Sequence, residues 1–184
     1  MVAAYLALLG LFGAERLAEL WLSRRNARIA CARGGVESGA MHFRAMAAVH
    51  AAFLPACAAE VLLLDRPFPG AAGFAAAALA VLAQTLRWWA IASLGWRWNV
   101  RIIVVPGDTP VRKGPYRLLR HPNYLAVATE MLFLPLAHGA WITAAVFSAL
   151  NAALLRVRIR AEERALGSDW ERAFAGVPRF IPHG

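Results

Sequence analysis

Three stretches of mostly apolar residues, 2–22, 45–64 and 70–94, each reach 20 residues or more. A helix of that length crosses about 30 Å of hydrocarbon. Hydrocarbon offers the backbone no water, so a spanning segment must close its hydrogen bonds on itself as a helix. Two shorter runs, 121–137 and 140–155, are separated only by His138-Gly139, the pattern of a tight helical hairpin. The expected fold is therefore an all-α integral membrane protein. It has five transmembrane helices, the last two paired as a short hairpin, and a cytoplasmic cap. Composition agrees: 60% of residues are apolar and 17% charged, against roughly 45–50% and about 25% in soluble domains. That balance excludes a soluble globular domain and a disordered chain. Two cysteines without ligand spacing exclude a disulfide scaffold or a Cys-based zinc site, and no metal is expected.

The formal charge of +9 first suggests a nucleic-acid partner, but the basic residues sit in blocks between the apolar runs. Arg24, Arg25, Arg28, Arg33 and Arg44 precede the second run. Arg97, Arg101, Arg112, Lys113, Arg117 and Arg120 lie between the third and fourth. Arg156, Arg158, Arg160, Arg164, Arg172 and Arg179 follow the fifth, so 17 of the 20 basic residues fall on alternate connections. Basic residues mark the cytoplasmic side. The amino terminus is thus expected outside and the carboxyl terminus in the cytoplasm, and nucleic-acid binding is excluded. The first run lacks a basic start and carries Glu15, Arg16 and Glu19, so it reads as a retained span and not a signal peptide. A single domain is expected over 1–184: three spans in 1–94, a cap segment in 95–120, the hairpin in 121–160, and a cytoplasmic helix and tail in 161–184.

Ionisable groups in hydrocarbon are costly and mark function or internal pairing. Glu15 and Glu19 share a face of the first span, with Arg16 spaced to pair with Glu19. Glu60, one turn from the outer end of the second span, reads as structural. Pro55 interrupts that span's hydrogen bonding. Gln84 and Arg87, one turn apart on the inner third of the third span, fit either a polar cavity or, for Arg87, snorkelling to the surface, and Gln84 is a candidate cofactor contact. Glu130 lies mid-depth in the fourth span. Outside the spans, Asn26 and the Gly34-Gly35-Val36-Glu37 turn fit either a lid or an ordinary loop. The tail from Val177 to Pro182 is expected to dock on the cap, His138 to be solvated, and Cys31 and Cys57 to be inert.

The cap carries the chemistry. Trp96-Arg97-Trp98-Asn99-Val100-Arg101 alternates and continues into β-branched residues up to Val105, which predicts a short extended segment. Strand geometry would put Arg97, Asn99 and Arg101 on one face and the tryptophans on the other. Pro122 suits the first turn of a helix, so Arg120 and His121 stand at a helix mouth, where free amides favour anions. At the far end of the hairpin, Asn151, Leu155, Arg158 and Glu162 share one helix face, and Arg156, Arg160 and Glu163 a second.

The run Arg120-His121-Pro122-Asn123-Tyr124-Leu125-Ala126, followed after the hairpin by Glu162-Glu163, resembles the Arg-His-Pro-x-Tyr-x-Gly … Glu-Glu signature of the isoprenylcysteine carboxyl methyltransferase family. Gly114-Pro115-Tyr116-Arg117 and Arg158-Ile159 match as well, and the resemblance covers about 96–167. Ala126 departs from the signature's glycine and is expected to tighten the cofactor pocket. The amino-terminal half, with Glu15-Arg16, Ser23-Arg24-Arg25-Asn26 and His42…His50, resembles a bacterial subgroup associated with type III polyketide synthases that methylates alkylpyrones or alkylresorcinols. The resemblance implies a bacterial plasma-membrane enzyme using S-adenosylmethionine on a lipid-tailed acceptor. By position, it implies that His121, Pro122, Tyr124 and Leu125, with Glu162 and Glu163, contact the cofactor. Arg158, with Arg120 as second candidate, would hold the substrate oxyanion, and Glu163 joins them in the catalytic set. Prenylcysteine carboxyl methylation, phospholipid N-methylation, NADPH-dependent membrane reduction and non-catalytic lipid binding stand as alternatives.

Overall fold

The structure is a computed structural model that describes residues 1–180, except the side chains of residues 40–42. His42, Ile181 and Pro182, singled out above, lie outside that description. All five apolar runs are helices: α1 (Val2–Ala32), α2 (Ala40–Leu63), α3 (Ala71–Leu94), α4 (Pro122–Leu136) and α5 (Trp141–Ala173). Three of them, α2, α3 and α5, are long and apolar enough to cross a membrane. Helix α1 has 31 residues, but Glu15, Arg16 and Glu19 interrupt its apolar run. Helix α4 has 15 residues, a rise of about 22 Å, short of a full hydrocarbon crossing.

The cap differs from the strand expected over residues 96–101. Gly95–Arg97 turns as a 3-10 helix, and the extended segment is β2 (Ile102–Val104). It pairs antiparallel with β1 (Val36–Ser38), Glu37 facing Ile103, so the Gly34-Gly35 loop delivers a strand. The alternating row is dispersed accordingly. Arg97 binds Asp108 at 2.5 and 2.7 Å, Asn99 bonds Ser23, and Arg101 reaches Glu37 at 3.2 Å. Trp98 is buried in protein, and the guanidinium groups of Arg33 and Arg97 approach the Trp96 ring at 4.4 and 4.5 Å. Asn26 fastens α1 to this turn by donating to the carbonyls of Gly95 and Trp98.

Small residues let α3 approach α4 closely. Ala76, Ala80 and Ala83 are buried there, and a Cβ on Gly73 would stand 2.8 Å from the carbonyl oxygen of Ala137. Phe12, Phe53, Cys57, Met131 and Leu134 fill the core among α1, α2, α3 and α4. The hairpin turn is buried instead of solvated: His138 is 2% exposed, with Tyr5 and Phe68 rings 5.2 and 5.8 Å from its own. The start of α1 and the segment before α3 close over it. Glu60 accepts the amides of Ile142 and Thr143 at 3.2 and 2.6 Å, capping α5 from α2 with a charge suited to a helix start.

The charges inside the helices form one network. Glu19 takes Arg87 at 2.5 Å and Arg16 at 2.7 Å, and Arg16 also pairs with Glu130. Gln84 bonds Glu15 and accepts from Arg16 at 3.4 Å. Three helices are thereby cross-linked. Removing one partner of a buried pair leaves an uncompensated charge, at a cost of about 3–5 kcal/mol, whereas an apolar replacement of both is near neutral. Glu19→Ala should therefore lower the thermal midpoint of the detergent-solubilised protein sharply. Glu19→Leu with Arg87→Met should restore much of it.

Candidate functional site

Helices α4 and α5 run back to back from the buried turn, so the mouth of α4 and the exit of α5 meet at the cap. His121 Nε2 lies 3.0 Å from Glu163 Oε1, and the Tyr124 hydroxyl donates to Glu162. Arg158 Nε donates to the Tyr124 oxygen at 2.7 Å, and another of its nitrogens donates to the Val100 carbonyl at 2.7 Å. The face Asn151, Leu155, Arg158 and Glu162 is turned inward, while Arg156 and Arg160 are exposed.

Gly167 then redirects the chain. Its φ of 73° and ψ of −171° break α5, a conformation open to glycine because it lacks a Cβ. The last turns fold under the cap, where Trp170 and Phe174 stack at 4.8 Å and Trp170 approaches His121 at 5.7 Å. Tyr116, Ala90 and Val177 pack around them, and burial raises the Tyr116 phenol above its ordinary range. The tail straps the motif: the amides of Arg120 and His121 donate to the carbonyls of Pro178 and Arg179 at 2.9 and 3.3 Å.

A cavity of about 810 Å³ opens between these elements, within the usual range for small-molecule sites. His121, Tyr124, Arg158 and Glu162 line its cap end, with Trp170 and Phe174, and Arg16, Glu19 and Arg87 line its depth. A stripe of α2 formed by Phe43, Met46, Ala47, His50 and Ala51 makes a largely apolar wall. Asn123 also faces the cavity, and its side-chain oxygen is buried without a partner among the described residues.

Several expected site residues sit elsewhere. Gln84 belongs to the interhelical ion network and does not line the cavity, because Glu15 and Arg16 satisfy its amide first. Glu163 is also withdrawn: Arg179 binds it at 2.6 and 3.0 Å beside His121, so its carboxylate holds the tail. This pairing raises Arg179 above the usual arginine range. Arg120 lines the cavity, but its Nε donates to the Val177 carbonyl at 2.5 Å. Pro122 and Leu125 lie on α4 outside the cavity lining. The Arg97 guanidinium, binding at the cavity rim, holds the Asp108 carboxyl below the usual carboxylate range. Asn123, Trp170, Phe174 and His50 carry no role in the motif's expected site. The helical spacing of Trp170 and Phe174 was the available signal for two of them.

With the motif ends in contact, similarity to known proteins becomes meaningful. The model of the isoprenylcysteine carboxyl methyltransferase (ICMT) family matches residues 76–168. The chain belongs to this family. The matched segment runs from α3 to just beyond Gly167, so it holds His121, Tyr124, Arg158 and Glu162 but not α1, α2 or the strapping tail. The uncharacterized protein YpbQ of Bacillus subtilis is 43% identical over 153 residues, covering 83% of this chain and 90% of that one. An uncharacterized protein of Haemophilus influenzae is 29% identical over 154 residues, covering 83% and 89%. As a member of this family, the protein is a membrane methyltransferase.

The tail's role is testable without a substrate. Arg179→Ala removes two of the hydrogen bonds on Glu163. The amides of Arg120 and His121 should then exchange several-fold faster by hydrogen–deuterium mass spectrometry, while those of α3 and the α4 interior stay unchanged.

Proposed function

We propose that this protein transfers a methyl group from S-adenosylmethionine to an oxyanion on a lipid-tailed acceptor at the cytoplasmic face of a bacterial plasma membrane. In this reading all five helices span the bilayer, with the amino terminus outside. The observation that carries it is the chain Glu162–Tyr124–Arg158 facing one cavity together with His121.

The cavity's residues fit the cofactor. The unpartnered oxygen of Asn123 and the Glu162 carboxylate offer acceptors suited to ribose hydroxyls or an ammonium group. Trp170, Phe174 and His121 offer flat surfaces suited to a purine. S-Adenosylmethionine, when bound, supplies an electrophilic methyl group on a sulfonium. The protein's own task is orientation. Tyr124 holds Arg158 through Nε, and the Val100 carbonyl holds it through a second nitrogen. The guanidinium is thereby fixed as a charged donor facing the cavity, a geometry suited to an anionic acceptor. Positioning of this kind recovers on the order of 7–11 kcal/mol of barrier. The apolar stripe of α2 suits a lipid tail entering from the bilayer.

An arginine at this position disfavours an amine acceptor, which would seek carboxylates or aromatic faces. A hydroxypyrone or phenol and a carboxylate, including a prenylcysteine, are the remaining acceptor classes, and the bacterial resemblance favours the first.

Calorimetry on the purified protein should show binding of S-adenosylhomocysteine and none of NADPH; heat with NADPH alone would remove the reading. Glu162→Gln should weaken S-adenosylhomocysteine about 10- to 100-fold, the value of a charged hydrogen bond. Arg158→Ala should leave that affinity nearly intact and abolish transfer of a tritiated methyl group to long-chain acceptors.

A further inference from the structure

His50 has no part in the site as described, yet it stands on the cavity stripe of α2. Its Nδ1 lies 2.9 Å from the carbonyl oxygen of Met46. A carbonyl only accepts, so in the neutral ring Nδ1 carries the proton and Nε2 is left with a lone pair. That nitrogen has no hydrogen-bond partner among the described residues. Met46, one helical turn away, packs against the cluster of Tyr124, Leu155 and Ile159. Four residues apart, His50 and Met46 are separated by about 6 Å along the helix axis, which puts His50 one turn from the cluster that holds the Arg158 anchor Tyr124. Arg16, Arg87 and Arg158, with Glu19, Tyr124 and Glu162, line the same cavity.

We infer that His50 Nε2 is the proton acceptor for a phenol-bearing lipid substrate, so that the site takes the phenol in its neutral form and the oxyanion forms within it. This rests on the methyltransferase reading and narrows its substrate class. The acceptor O–H bond breaks with its proton going to Nε2. The oxygen's electron pair forms the new O–CH₃ bond, and the S–CH₃ bond breaks with its pair returning to sulfur. S-Adenosylhomocysteine leaves as a neutral thioether, and the imidazolium returns its proton to water from the cytoplasmic side. A phenol has a pKa near 10, as tyrosine does, and is almost wholly protonated at neutral pH. A carboxylate acceptor would give such a base nothing to do. The surrounding guanidinium groups suit the oxyanion that forms.

The test separates this step from the reaction as a whole. A 4-nitrophenol bearing a long alkyl chain is bound to the purified protein without cofactor, and its ionisation is followed by absorbance against pH. Wild type should ionise the bound probe at lower pH than a detergent micelle does. His50→Gln, whose amide can still donate to the Met46 carbonyl, should move that midpoint upward, as should His50→Ala. With cofactor, both variants should lose about 10²-fold or more in methyl transfer to an alkylresorcinol, the usual scale of a general base. The loss should be at least tenfold smaller for an alkylhydroxypyrone, whose enol is already ionised. S-Adenosylhomocysteine affinity and thermal midpoint should not change. An unshifted probe midpoint in both variants, or failure of wild type to bind the probe, overturns the proposal. If S-adenosylhomocysteine fails to bind the wild type, the methyltransferase reading falls, while the probe titration still judges His50 on its own.

Discussion

A carboxylate or guanidinium that leaves water must find its counter-charge inside the protein, because neither hydrocarbon nor a packed core solvates it. In this chain that requirement organises both halves of the molecule. Within the helices, Glu19 gathers Arg87 and Arg16, and Glu130 closes the set from α4. At the cap, Glu163 gathers His121 and Arg179 while Glu162 takes Tyr124. Each network joins segments far apart in sequence, so each fixes tertiary structure that apolar contact with lipid would leave undetermined. Apolar side chains gain little by leaving lipid for protein. Orientation among the helices is consequently set by small residues and by these charges.

The two networks bound one cavity. Its deep end is lined by members of the first and its mouth by residues adjoining the second. A reacting group placed between them meets Arg158, held by Tyr124 and the Val100 carbonyl. The strand pair formed by Val36–Ser38 and Ile102–Val104 binds the α1–α2 connection to the cap. The amino-terminal helices therefore contribute walls to a site whose motif lies wholly in the carboxyl-terminal half.

Much of the site was legible in the sequence because its signals are local. Pro122 marks the start of α4, and the spacing of Asn151, Leu155, Arg158 and Glu162 marks one face of α5. The short turn at His138-Gly139 implies that the two ends of the hairpin come together, as they do. Division of labour between the paired glutamates was not legible. Glu162 and Glu163 are adjacent, and only the tail's return with Arg179 turns the second into a strut. The partners of Gln84 were not legible for a similar reason: its distance from Glu15 is a property of helix packing, not of spacing along α3.

By itself the sequence determined the helices, the blocks of basic charge between them and the motif at the hairpin's ends. Hydrophobic length, helix-start chemistry and i, i+4 spacing are properties of a short stretch of chain. Tertiary structure alone decided which charge meets which, that His138 is buried and not solvated, and that the Trp96–Arg101 run folds into a turn instead of a strand. It also decided that His50 shares a cavity with Arg158. Those outcomes depend on how separate helices pack, and in a low-dielectric interior a partner a hundred residues away outweighs any preference of the neighbouring chain.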